Sequence, residues 1–149
     1  MPKKRRTQCP NCGAEPARSN YKYCSNKCQQ EFQYKKYISA WKSGKTNGLQ
    51  GLGIVSNYIK RYLREKYTNK CCVCGWHERN VITGEVPLVA DHIDGNWRNN
   101  VETNLRLICP NCDSISATYA GLNRGNGGKM VRVLSKRAKE GRLFASKPA

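Results

Sequence analysis

Apolar positions in this 149-residue chain come in short patterned runs, none long. Tyr34, Tyr37, Ile38 and Trp41 recur at i, i+3, i+4 and i+7, the period of one helix face. Ser25 can cap such a helix and Gly44 can end it, so a helix is expected over residues 25–43. A second stripe, Ile59, Tyr62 and Leu63 with the stem of Lys66, predicts a helix over 56–67 and leaves Lys60, Arg61 and Arg64 outside. Residues 88–90 and 105–108 are short apolar runs with turn-forming residues between them, which reads as a two-stranded antiparallel hairpin. A helix over about 113–119 should follow, and a short one near 131–140. Residues 44–55 are glycine-rich, do not match a phosphate-binding P-loop, and read as a linker.

These segments bury little. Leu, Ile, Val and Phe make up 26 of 149 residues, the composition of a chain that needs another source of stability. The nine cysteines supply it. Cys9 and Cys12 are followed by Cys24 and Cys28, and Cys71 and Cys74 by Cys109 and Cys112; two Cys₄ zinc sites account for eight, leaving Cys72 over. A C-x₂-C turn places two sulfurs on one side of a metal, and a second pair completes a tetrahedron. Complete Cys₄ shells leave no open position for water, so both zinc ions are expected to be structural. Nothing in the chain resembles a membrane span, and Met1–Arg6 lacks the apolar segment of a signal peptide, so a reducing, cytoplasmic setting is expected, where thiols are ligands more readily than disulfides. His77, three residues past Cys74, could replace a zinc ligand or simply be exposed.

Charge divides the chain. Residues 1–70 carry +13, residues 71–113 carry −3 and residues 114–149 carry +7, for a net +17. An acidic block between basic arms fits a polyanionic partner, nucleic acid above all, because each phosphate neutralised releases counterions. With eight thiolates on two Zn²⁺ the net charge is still about +13. Lys35, Lys36, Lys60, Arg61, Arg64, Arg98, Arg124 and Lys129 are candidate DNA contacts; Lys35, Lys36 and Lys42 fit equally well as a solvated helix face. Arg106 alternates with Leu105 and Leu107 and so faces away from what they bury. Trp97 fits either core packing or a wedge toward DNA. Residues 1–6 resemble a nuclear-import signal, although a basic arm on the DNA backbone is simpler.

Inside the acidic block stand Asp91-His92, Asn104 twelve residues after the His in Asn104-Leu105-Arg106, and Cys109-Pro110-Asn111-Cys112 just beyond. With the preceding C-x₂-C, this resembles the HNH endonuclease family over about residues 71–125. The Cys₄ module ahead of it is similar to those found before HNH domains in phage-encoded enzymes. The resemblance implies a small zinc-stabilised α+β protein. Its ββα-metal (His-Me finger) nuclease core over 56–125 would follow a Cys₄ zinc finger and helix over 1–43 and the linker 44–55, and precede a basic tail over 126–149. It also implies His92 as general base, Asp91 as ligand of a catalytic Mg²⁺ or Mn²⁺, and Asn104 as the residue that orients the active-site loop. The family's last motif position holds His or Asn; here it is Asp113, and Asn123 is a second candidate ligand ranked below it. A carboxylate suits a hard cation.

The chemistry agrees with the resemblance. Histidine accepts a proton near neutral pH, and one divalent cation between Asp91 and Asp113 would bind the scissile phosphate and the leaving oxygen. Since alternation sends neighbours to opposite faces of a strand, Asp91 and His92 can cooperate only where the strand ends or bends, which residues 93–95 permit. The expected activity is Mg²⁺-dependent hydrolysis of double-stranded DNA to 5′-phosphate and 3′-hydroxyl ends by a phage-encoded, homing-like enzyme, monomer or dimer, acting in the host cytoplasm. The competing readings are a non-catalytic zinc-ribbon nucleic-acid-binding protein and a junction-resolving or packaging nuclease.

Overall fold

The structure, a computed structural model, describes residues 7–51 and 53–123. The basic stretch at residues 1–6, the tail with its expected helix near 131–140, Arg124 and Lys129 lie outside them. The chain divides into two compact units, Met1–Thr46 and Asn47–Ala149. No helix among the described residues is long and apolar enough to cross a membrane.

The first unit is a cysteine knuckle followed by α1 (Asn26–Lys42). Ser25 caps the helix by accepting from the Cys28 amide at 3.2 Å. The expected stripe forms its buried side through Tyr34, Ile38 and Trp41, with Lys35, Lys36 and Lys42 exposed.

The second unit opens with the segment expected to be a linker, and here the structure differs. Leu49 bridges Val55, Gln50 N donates to Ile54 O, and Ser56 N donates to Gly48 O, so the segment closes on itself. Val55 and Ser56 are buried because the loop must deliver the chain to α2 (Asn57–Lys66), whose N-cap is Ser56. Then come β1 (Val89–His92) and β2 (Leu105–Ile108), an antiparallel pair, and α3 (Pro110–Ser114).

The core of this unit is α2 against β2. Ile59 and Leu63 on the helix and Leu105, Leu107 and Ile108 on the strand are fully buried. Register and alternation divide the hairpin into two faces. Leu105 and Leu107, opposite His92 and Ala90, share one face; Arg106 and Ile108, opposite Asp91 and Val89, share the other. Ile108 clusters with Cys71 and Cys109 beneath Trp76, Leu88 and Cys112. Leu63→Ala should cost about 2–5 kcal/mol in urea denaturation, since the side chain is wholly enclosed. Leu122→Ala, at a position 72% exposed, should change stability by less than about 0.5 kcal/mol.

Three local expectations are corrected. The last helix begins at Pro110, not Asp113, because the cysteine knuckle is itself its first turn: Cys109 caps it, its sulfur accepting from Cys112 N, and Pro110 occupies the first turn, where no amide is needed. It ends at Ser114, whose hydroxyl donates to Asn111 O and so competes for a helical acceptor; residues up to 119 do not continue it. Lys66 does not bury its stem but reaches out to Glu102 at 3.0 Å. Arg64, expected outside, donates to Asn69 Oδ1 at 2.7 Å and Val86 O at 3.1 Å, tying α2 to the chain entering β1.

Candidate metal centres and catalytic site

Both cysteine knuckles have the same backbone. Gly13 N donates to Cys9 O and Cys9 N to Ala14 O; Gly75 N donates to Cys71 O and Cys71 N to Trp76 O. Gly13 and Gly75 take φ of +76° and +77°, a conformation only glycine adopts without strain. Each knuckle meets its second pair. Cys9, Cys12, Cys24 and Cys28, and likewise Cys71, Cys74, Cys109 and Cys112, bring their sulfurs within 4.8 Å of one another. Individual separations are 3.5 Å for Cys12–Cys24, 3.6 Å for Cys12–Cys28 and 3.7 Å for Cys74–Cys109. A tetrahedron with Zn–S bonds of about 2.3 Å has S···S edges of roughly 3.8 Å, whereas a disulfide would need about 2.05 Å. Both clusters therefore fit zinc. Burial pushes the Cys71 thiol up, but the amides of Cys74, Cys109 and Val73 outweigh it and bring it to about 6; burial and the neighbouring sulfurs push Cys112 up to about 12. Four sulfurs so placed cannot all ionise without a cation among them. His77 is exposed, its ring on Gly75 O, and is no part of the cluster. Cys72 also stays outside, with its amide on Leu107 O.

Beyond the hairpin, a loop rich in asparagine is held by one residue. Asn104 Nδ2 donates to Asp94 Oδ1 and Asn99 O, both at 2.8 Å, while its Oδ1 accepts from Asp94 N. Asp94 in turn accepts from Asn99 Nδ2 and Asn96 N, and the first of these bonds leads in holding its carboxyl below the usual range. Asn104 is buried, so its amide serves the loop and not solvent.

β1 ends at His92, where Gly95 N turns back to His92 O. Gly95 has φ +71°, and a Cβ there would collide with Asn123 Oδ1 and Thr118 Cγ2. The two residues of the Asp-His pair go to opposite faces. Asp91 accepts from Arg106 Nε at 2.7 Å on the face toward α3. There Asp113 feels it: burial first, then the Asp91 charge, raises the Asp113 carboxyl above its ordinary range, with Arg106 opposing. His92 instead lines a cleft of about 600 Å³ with Lys60 and Arg64 of α2, Trp97, and an apolar floor that includes Ala90 and Leu107. Its Nε2 lies 2.8 Å from Asn100 Oδ1. The structure thus places Asp113 with Asp91 and not on the imidazole's face. Asn123 donates to Gly95 O at 2.7 Å, while its Oδ1 is buried without a hydrogen-bond partner.

The other candidate cations have varied places. Lys35 Nζ donates to Asn11 of the first knuckle, Lys36 is exposed, Arg61 pairs with Glu65 at 2.8 Å, and Arg98 lies over the Trp97 ring. Trp97 also stands 3.6 Å from where a Gly53 Cβ would be, so it packs on the loop before α2. Sequence reasoning missed Asn100, one of several asparagines in a polar loop, because nothing local marks it out. It also missed that Arg106 would turn to Asp91.

Compared with known proteins, the chain is 33% identical over 96 residues to the H-N-H endonuclease F-TflIV of Escherichia phage T5, covering 61% of this chain and 40% of that protein. The chain thus spans less than half the length of that relative. No protein-family model matches it. No solved structure matches it either. The likeness to an HNH endonuclease read from the motif residues is thus joined by a similarity over 96 residues to a protein of that name, and the two cysteine tetrads fit zinc.

Proposed function

We propose that this protein is a phage-type HNH endonuclease that hydrolyses DNA phosphodiesters with a divalent cation, leaving 5′-phosphate and 3′-hydroxyl ends. The observation that carries the reading is the end of β1, where the His92 imidazole lies on one face and Asp91 on the other, with Asp113 of α3 near enough to feel the Asp91 charge. The reading requires the scissile phosphate to lie across that terminus, within reach of both faces. His92 takes the proton of the attacking water, and the Asn104 network keeps the loop over the terminus in shape.

Asp91, which accepts from Arg106, and Asp113, whose carboxyl is raised by burial first and then by the Asp91 charge, are the oxygen ligands suited to Mg²⁺ or Mn²⁺, since a dication would stabilise both carboxylates. Such an ion supplies Lewis-acid stabilisation of the charge that develops on the phosphate and the leaving oxygen. Asn123, with its unpaired buried Oδ1 at the Gly95 turn, is the second candidate. Lys60, at the rim of the cleft that holds His92, is placed to meet the backbone of the substrate strand, with Arg64 shaping the wall beside it.

Supercoiled plasmid incubated with the zinc-loaded protein should be nicked or linearised when Mg²⁺ or Mn²⁺ is added and stay intact without it. Asp113→Asn should raise the Mg²⁺ concentration needed for half-maximal cutting about tenfold or more, as loss of a ligand or its support commonly does. Intact plasmid at protein concentrations that shift it on a gel would establish the binding-only alternative. A greater effect from Asn123→Ala than from Asp113→Asn would exchange the two ligands.

A further inference from the structure

We infer that Asn100 is a positioning residue for His92, holding the imidazole as its Nε2–H tautomer so that Nδ1 carries the lone pair that receives the proton. The inference rests on the nuclease reading and adds to it which ring nitrogen works and what selects it. Asn100 is buried, only 4% exposed, and its side chain reaches the imidazole at 2.8 Å. Its amide cannot be turned round: Nδ2 faces two carbonyl oxygens, Trp97 O at 3.2 Å and Arg98 O at 3.3 Å, and a carbonyl only accepts. Oδ1 must then be the atom 2.8 Å from His92 Nε2, and since Oδ1 can only accept, Nε2 must donate. A neutral imidazole has one N–H, so the basic position is Nδ1.

The same bond fixes the plane of the ring. His92 is the last residue of β1, beyond which the hairpin no longer confines it, and the residue that restrains it comes from the loop eight positions later. That loop is tied by hydrogen bonds that do not involve the imidazole, because Asn104 and Asp94 close it on the other side. The asparagine-rich loop therefore has two ends with separate duties: Asn104 sets its path, and Asn100 passes that order on to the base.

The chain contains two histidines, so the test is direct. Histidine-selective ¹⁵N labelling of the zinc-loaded full chain, with no DNA and no added divalent ion, should show at neutral pH or above a His92 with a slowly exchanging proton on Nε2 and an unprotonated Nδ1. The exposed His77 should show fast exchange. In Asn100→Ala the slow proton should vanish; in Asn100→Asp, which keeps an acceptor oxygen, it should persist. In plasmid cleavage, Asn100→Ala should lower kcat about ten- to a hundredfold with KM unchanged, part of the roughly 10²–10⁴ a general base supplies. Asn100→Asp should retain a higher kcat than Asn100→Ala. A proton on Nδ1 in the unaltered chain, or a slow Nε2 proton that survives Asn100→Ala, overturns the inference. Equal loss of kcat in both variants overturns the positioning role, reducing Asn100 to a loop residue. Failure of the unaltered chain to cut any DNA would instead defeat the nuclease reading, while the spectra still decide the tautomer.

Discussion

Removing zinc from the second cluster should abolish the cooperative fold of the hairpin unit, not merely loosen it. Structural zinc sites contribute roughly 10–16 kcal/mol in finger peptides, as much as or more than the 5–15 kcal/mol net stability of a typical small domain. Here the dependence is stronger because the ligands are also structural corners. Cys109 follows β2 directly, caps α3 with its sulfur, and clusters with Ile108 and Cys71, so a zinc held by this tetrad would join the end of the sheet to the helix that carries Asp113. Cys109→Ser, or treatment with a strong chelator, should eliminate the cooperative near-ultraviolet melting transition of this unit. Cys9→Ser should spare that transition, because Cys9 lies in the other compact unit. A metal assay on the intact chain should return two zinc ions, and acidification should release them, since protons compete with zinc for the thiolates. A chelated protein that still melts cooperatively would show that the apolar core suffices alone.

The second large effect is chemical. His92→Ala should reduce single-turnover plasmid cleavage by about 10²–10⁴, the range a positioned general base contributes, while zinc content and DNA affinity stay at their normal values. The separation is expected because the imidazole is only half-buried at the strand end, whereas the fully buried side chains are Ile59, Leu63, Leu105 and Leu107. His77→Ala is the matched control: exposed and bonded only to a neighbouring carbonyl, it should leave the rate unchanged. Cleavage by His92→Ala near the normal rate would remove the base role from this residue and leave the cleft beside it without a catalytic function.

These two expectations draw on different levels of information. The zinc clusters could be read from spacing alone, because a C-x₂-C turn is local and its sulfurs have one common use in a reducing compartment. The same holds for α1 and α2, whose stripes and serine caps are periodic signals spanning one or two turns, and for the hairpin, whose apolar runs bracket a polar loop. Asp91 and His92 were legible as candidate chemistry because adjacent residue types carry that signal. What they would face was not. Arg106 reaches Asp91 across fifteen residues and Arg64 reaches the carbonyl of Val86 across twenty-two, contacts that exist only once the strands pair and α2 docks.

The start of α3 was misplaced for a related reason. A cysteine pair read as a metal knuckle is also a helix start when its first sulfur can accept from the amide three residues on, and that depends on backbone angles rather than residue type.

By itself, then, the sequence determined the inventory: two thiolate tetrads, two amphipathic helices, a hairpin with a histidine and carboxylates near its turn, and a strongly cationic whole. Tertiary structure alone decided the arrangement: Asp113 beside Asp91, the imidazole on the opposite face in a cleft against α2, and Asn100 on its Nε2. The physical reason is that strand alternation assigns neighbours to opposite faces without saying what covers each face. That is settled by which distant segments can be buried together, and here the second cysteine tetrad and the α2 contact bring those segments together.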